Sequence, residues 1–343
     1  MDDILRVVSQ LRPANDPVNV HLVETSQALR AVQEQKLASS KRNINLHFHH
    51  SISDVPQNPK QYTMLVAHEF FDALPIHLLQ KKESGWHEVM IDTSHTSQPS
   101  SPSTSTSTQI TSTNSHSNSQ IIPHLRRVLS PTPTAASTLL GLSSPRFHNL
   151  PNGSFIEVSP AAFKIARQVG QLVSGIDEPG PLAKRDVVSS SQLESVGGCG
   201  LIIDYGGDKA FKQHKIVDVF HRPGECDLTA NVDFAYLKEA MSDLVTPHGP
   251  ITQQSFLERM GISLRVDALA RSAGSEARKS AIRDSVKRLT DRLGMGKEYK
   301  VLGLTSTARM EGLTGMAVWP FEVAEERKVD NCVHVGDKGN GKE

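Results

Sequence analysis

Cysteine is scarce in this sequence: Cys199, Cys226 and Cys332 are the only three in 343 residues, widely spaced and without C-x-x-C spacing. An odd, scattered set excludes a disulfide framework and a zinc knuckle, and it suits a reducing compartment. Long apolar runs are missing too, and none approaches the ~20 residues that a membrane-spanning helix needs. Nor is one sign of charge in excess. Lysine plus arginine equals aspartate plus glutamate at 37 each, so no overall field draws in nucleic acid or an anionic membrane. The opening MDDILRVVSQL is acidic where a secretory or organellar signal is basic, so no targeting segment is visible. Neither G-x-S-x-G nor H-E-x-x-H occurs, which removes serine-hydrolase and zincin chemistry. Among the 15 histidines, strand alternation puts His47 and His49 on one face. No acid or cysteine nearby completes a ligand set, so they are expected to face solvent and no metal is expected.

What is present points to alternating helices and strands. Ile4, Leu5, Val8 and Leu11 recur at helical spacing, ahead of a break at Pro13 and Pro17. The segment Val18 to Val23 alternates as a strand and ends in Glu24, Thr25 and Ser26. Ser26 is placed to cap a helix that runs to about Ser39 with Leu29 and Val32 inward. Ile44, Leu46 and Phe48 alternate next, followed by the apolar run from Met64. This order predicts parallel βα units. Trp86, Val89 and Ile91 predict a strand paired antiparallel with Ile76 to Gln80, with Gly85 at the turn. Further on, Pro160 opens a helix whose inner face carries Ala162, Ile165, Val169 and Leu172. Leu201, Ile202 and Ile203 form a run expected in a strand covered on both faces. Thr252 to Met260, stopped by Gly261, and the region Arg278 to Leu293 predict two more helices.

Composition divides the chain. Residues 93–120 are mostly Ser, Thr, Asn and Pro and cannot bury enough surface to offset ordering, which predicts a disordered insertion. Residues 1–92 and 121–327 are then two parts of one domain, and 328–343 form a polar, disordered tail.

The most informative stretch is HEFFDALP, His68 to Pro75, at the carboxyl end of the apolar run Met64 to Ala67. Open α/β sheets bind ligands at that end. Glu69 and Asp72 stand beside Phe70 and Phe71 there, and burying carboxylates among apolar rings is costly unless they meet a cation. The bland alternative is that these acids cap the turn or meet a structural Lys or Arg. A hydrolase using them as acid and base is disfavoured, because a separation of three residues does not set the spacing such pairs need. Asp204 and Tyr205 repeat the pattern of acid and aromatic at the end of the Leu201 to Ile203 run, before Gly206 and Gly207.

Together HEFFDALP, VHLVETS (Val20 to Ser26), GLIIDYGG (Gly200 to Gly207) and PGECDLTANVDFAYL (Pro223 to Leu237) resemble the mitochondrial protein arginine methyltransferases that assist complex I assembly, with their bacterial MidA-type relatives. The resemblance covers most of the chain outside the insertion and the tail. It implies an α/β fold: the doubly wound, Rossmann-like sheet of S-adenosylmethionine-dependent methyltransferases, with antiparallel and helical additions. It also implies S-adenosylmethionine as cofactor, a complex I subunit as protein substrate, symmetric dimethylation of an arginine, and the mitochondrial matrix as location. Under it Glu24 accepts from the ribose hydroxyls, with Thr25, Ser26 and His68 on the cofactor side. Glu69 and Asp72 become the catalytic candidates that grip a guanidinium. Phe70, Phe71, Asp204 and Tyr205 line the substrate side, while Asp233 is expected to cap the helix after it.

Two departures stand out. The family's G-P-G-x-G turn between the first strand and the first helix is absent, and MDDILRVV resembles the helix that follows that turn, so an amino-terminal truncation is expected. His49, His50 and Ser51 stand where the family carries an acid toward adenine. The absent first strand would lie between the strands ending at Glu24 and at Glu69, which predicts a split sheet and weak cofactor binding. A non-catalytic assembly or scaffold protein is the alternative.

Overall fold

The structure is a computed structural model describing residues 1–11, 17–38, 42–94, 124–176, 195–207, 220, 228–307 and 318–322. Most of the Ser/Thr-rich insertion, the 328–343 tail, Pro13 and Asp227 lie outside the described residues.

The first unit contains helix α1 (Asp2–Leu11), strand β1 (Val18–Val23), helix α2 (Gln27–Ala38) and strand β2 (Ile44–His49). β1 and β2 pair in parallel, from Val18↔Ile44 to Val23↔His49. Period-two alternation sends Val18, Val20, Leu22, Ile44 and Leu46 to one face, where they pack on Leu5 of α1 and Leu37 of α2. The stripe of α2 differs from expectation: Leu29 and Val32 are 52% and 61% exposed, and Leu37 is the buried residue. Strands sit ~4.8 Å apart, so a two-stranded sheet is too narrow to cover the whole apolar side of a helix.

The next strand, β3 (Thr63–His68), leads into a second, antiparallel sheet. It is built from β4 (His77–Lys82), β5 (Gly85–Ser94), β6 (His124–Leu129), and, beyond helices α3 (Ala135–Gly141) and α4 (Pro145–His148), β7 (Phe155–Val158). The order is β6-β5-β4-β7. β4 and β5 form the anticipated hairpin, turned at Gly85, whose φ of 115° favours glycine. Leu79, Trp86, Phe147, Ile156 and Val158 close its core.

The remaining elements are α5 (Pro160–Ser174), β8 (Gly198–Gly207), β9 (Val232–Asp233), α6 (Phe234–Met241), β10 (Val245–Thr252), α7 (Gln253–Arg259), α8 (Ile262–Arg271), α9 (Glu276–Thr290), α10 (Met295–Glu298) and β11 (Tyr299–Ser306). They complete a five-stranded sheet of order β10-β11-β8-β3, with the short β9 on β8. β3 and β8 are parallel, and β11 is antiparallel to β8. Ser159 caps α5 through the Ala162 amide, Pro160 fills its first turn, and Gly175 ends it at φ 68°. The buried stripe of α5 is Ala162, Ala166, Val169 and Val173; Ile165 packs only at its margin. That stripe meets Leu65, Ala67, Ile202, Leu302 and Leu304 in the main core.

The parallel sheet is therefore interrupted. β1 and β2 form their own sheet, and β3 ends the larger one with no strand bonded to its outer edge among the described residues. The interruption falls between the strand that ends at Glu24 and the one that ends at Glu69. Its cost is visible on β3, where Met64 and Val66 are 60% and 48% exposed. In β8, Ile202 is fully buried while Leu201 and Ile203 are only half-buried. The expected double cover is missing because α5 covers one face only.

Candidate functional site

The ladder between β3 and β8 ends with His68 opposite Ile203, and β8 continues to Gly207. The Glu69 amide donates to the Ile203 carbonyl at 3.0 Å, continuing the ladder by one bond. The chain then turns sharply, and Glu69 takes φ 49°, a left-handed conformation uncommon outside glycine, asparagine and aspartate. Behind it Asp204 is fully buried. Its Oδ2 accepts from the amides of Phe70 and Phe71 at 3.2 and 2.9 Å, and its Oδ1 accepts from the Tyr205 amide at 2.9 Å. One carboxylate thus joins β8 to the turn after β3. Burial, then the charge of Asp72, push the Asp204 carboxyl up to about 6, against the pull of the three amides.

Asp72 is also buried, and its carbonyl accepts from the Ala230 amide at 2.9 Å. Burial first and Glu69 second raise its carboxyl above the ordinary aspartate range. Glu69 itself keeps 47% of its side chain exposed, with the His68 ring nitrogen 4.0 Å from Oε1. That same oxygen accepts from the Tyr299 hydroxyl at 2.5 Å. Tyr299 and Tyr205 face each other across β8 and β11, with ring centroids 4.1 Å apart and their hydroxyls in hydrogen-bond contact. Burial, then Glu69 and Tyr205, raise the Tyr299 phenol far above its usual value, so it stays protonated.

Glu69 thus sits close enough to raise the Asp72 carboxyl, and Asp72 close enough to raise that of Asp204, and none of the three is paired with a Lys or Arg among the described residues. Phe71 is a core residue, edge-on to the half-buried Phe70 at 5.4 Å between centroids. Sequence reasoning missed Tyr299, which lies 230 positions from Glu69. The available signal was an aromatic at the start of the apolar strand YKVLGLTS.

The Glu24 group follows β1, in the two-stranded sheet. The Glu24 Oε1 accepts from the Ser26 amide at 2.8 Å, and the Ser26 hydroxyl caps α2 at the Leu29 amide. Arg30 ties the two strand ends, donating to the carbonyls of Glu24 at 2.6 Å and His49 at 2.8 Å. Thr25 is exposed. β1 and β3 belong to different sheets, and no hydrogen bond links Glu24, Thr25 or Ser26 to Glu69 among the described residues. His68, grouped with them in the sequence reading, stands instead beside Glu69 and 6.5 Å from the Tyr299 ring. A narrow cleft behind the turn, lined by Phe71, Ile76, Glu157, Ala230 and Asn231, includes neither Glu24 nor Glu69.

His47 is exposed, as expected, whereas His49 is half-buried, and both stack on His21, at 4.8 and 5.2 Å. No group able to hold a metal occurs among the described residues. Asp233 caps α6 through the Tyr236 amide, as expected, and also pairs with Arg146 at 2.8 Å.

Three comparisons bear on this arrangement. A zebrafish (Danio rerio) protein named "Protein arginine methyltransferase NDUFAF7, mitochondrial" is 33% identical over 335 residues, 90% of this chain. The human (Homo sapiens) protein of that name is 30% identical over 337 residues, also 90% of this chain. The chain spans 66% and 64% of their lengths, just under two thirds. A solved structure from Burkholderia thailandensis, bound to S-adenosyl-homocysteine, matches the fold with a TM-score of 0.56 at 19% identity, covering 88% of this chain and 67% of that one. The ribose-side candidates follow a strand of one sheet and the acceptor-side candidates a strand of another. The first glycine of the chain is Gly85, so none before it lets the backbone approach a cofactor closely.

The family model described as "Putative S-adenosyl-L-methionine-dependent methyltransferase" matches residues 1–251, and the chain belongs to that family.

Proposed function

We propose that the chain carries the acceptor side of a protein arginine methyltransferase acting on a subunit of respiratory complex I in the mitochondrial matrix. The product is symmetric dimethylarginine, and the modification supports complex I assembly. The methyl group comes from S-adenosylmethionine, the cofactor of the family. The observation that carries the reading is the set of coupled carboxylates at one strand end, Glu69, Asp72 and Asp204, without a described cation among them. The names of the relatives agree with it.

Glu69, half-exposed and acceptor-only once ionised, is the group that receives the N–H fork of the guanidinium. Asp72 lies behind it, and a cation arriving at Glu69 favours its ionised form. Phe70 offers the more accessible ring, and Asp204 and Tyr205 hold the turn from below. Glu24, Thr25 and Ser26 remain the candidates for the ribose side, which requires the two sheets to be joined.

The interrupted sheet favours one other reading, a non-catalytic assembly protein that keeps only the partner surface. A gene deletion in the source organism separates the two. Under the enzymatic reading, deletion removes a symmetric dimethylarginine from complex I in mass spectra, and Glu69→Gln does not restore it. Undiminished dimethylation refutes that reading. Loss of assembled complex I with dimethylation intact supports the non-catalytic one.

A further inference from the structure

We propose that Tyr299 is a positioning residue that holds Glu69 in the orientation that receives an acceptor guanidinium, with Tyr205 as the second link. The inference rests on the acceptor reading of Glu69 and deepens it. A glutamate at a turn has three side-chain torsions to fix, and each freely turning side chain loses entropy when it binds. Two features remove that freedom here. The backbone of Glu69 is fixed by its amide bond to Ile203 and by its left-handed φ of 49°. The Tyr299 hydroxyl, on a buried residue of the central strand β11, then fastens Oε1 at 2.5 Å.

The direction of these bonds follows from proton counting. A carboxylate can only accept, and Tyr299 has one hydroxyl proton, so that proton goes to Glu69. The Tyr205 hydroxyl must then donate to the Tyr299 oxygen, giving a directed chain from Tyr205 through Tyr299 to Glu69. Both protons are committed. Oε2 of Glu69 makes no hydrogen bond among the described residues, and it is the oxygen left for a cation. Tyr299 would not touch the substrate, and a phenylalanine would fill the same space while releasing Glu69.

The test uses the full chain labelled with 13Cζ-tyrosine, whose four tyrosines are assigned by Tyr→Phe variants, and N-acetyl-L-arginine amide as probe. In the wild type the Tyr299 signal should shift saturably as the probe binds. Tyr299→Phe should weaken binding roughly tenfold, the scale of one bond to a charged group, and Glu69→Gln should abolish it. Wild-type affinity in a folded Tyr299→Phe overturns this inference and leaves the acceptor reading standing. No binding by the wild type overturns both. The 13Cζ signals give a second readout should Tyr299→Phe fail to fold: at neutral pH the Tyr299 signal, assigned as the one left when Tyr62, Tyr205 and Tyr236 are replaced by Phe, should move in Glu69→Gln relative to the wild type. An unchanged Tyr299 signal in Glu69→Gln shows that the Glu69 bond does not form and overturns the inference.

Discussion

Replacing Asp204 by asparagine should change the pH dependence of stability more than stability itself at acid pH. The folded protein holds the Asp204 carboxyl up at about 6, against 3.8 for an unperturbed aspartate. Between those values the folded state binds a proton that the unfolded state has released, so stability falls as pH rises through that window and levels off above it. The rise from 3.8 to about 6 is worth ~3 kcal/mol. The side chain is fully buried, so solvent screening does not dilute the effect much. The asparagine side chain cannot ionise, so the variant lacks this component. Urea unfolding of both proteins at pH 4 and pH 7.5 reads most of it out: the wild type should lose ~2.4 kcal/mol relative to Asp204→Asn on going to the higher pH, part of the change having occurred below pH 4. Asp233, also raised by burial, titrates in both proteins and largely cancels in the difference. A stability difference equal at the two pH values would show that Asp204 is not a buried acid held against its charge.

Arg146 donates to Asp233 at 2.8 Å and to Glu239 at 2.7 Å, and Asp233 keeps only 8% of its side chain exposed. Arg146→Ala leaves that carboxylate buried without its cation and should cost ~3 kcal/mol in urea unfolding; a loss below ~1 kcal/mol would mean that water replaces the arginine. Because the ribose-side and acceptor-side candidates lie on separate sheets, isothermal titration of this chain with millimolar S-adenosylmethionine should give no saturable heat. Clear saturation would show that the two sheets form a shared cofactor site.

Much of the fold was legible because it is encoded within a few residues of itself. The Val18 to Val23 alternation, the Ser159–Pro160 start of α5, the Gly85 turn and the Asp233 cap each involve partners at most four positions away, and each formed as expected. Side-chain stripes were less secure. The inner face of α2 moved to Leu37, and that of α5 to Ala166 and Val173, because a stripe is buried only where another element covers it. The split between β1 and β3 was anticipated from the missing first strand, whereas its consequence for Met64 and Val66 needed the sheet itself.

Sequence alone determined the order of helices and strands and the gathering of acids and aromatics at the ends of two strands, because periodicity, capping and turn chemistry act locally. Tertiary structure decided what each acid can do. Asp204 and Glu69 look alike as letters after an apolar run, yet parallel register puts Asp204 under the backbone amides of Phe70 and Phe71 and leaves Glu69 at the surface beneath Tyr299. A carboxylate's proton affinity and partners follow from its burial and from what the sheet register brings across it. That information is held by residues more than 130 positions apart.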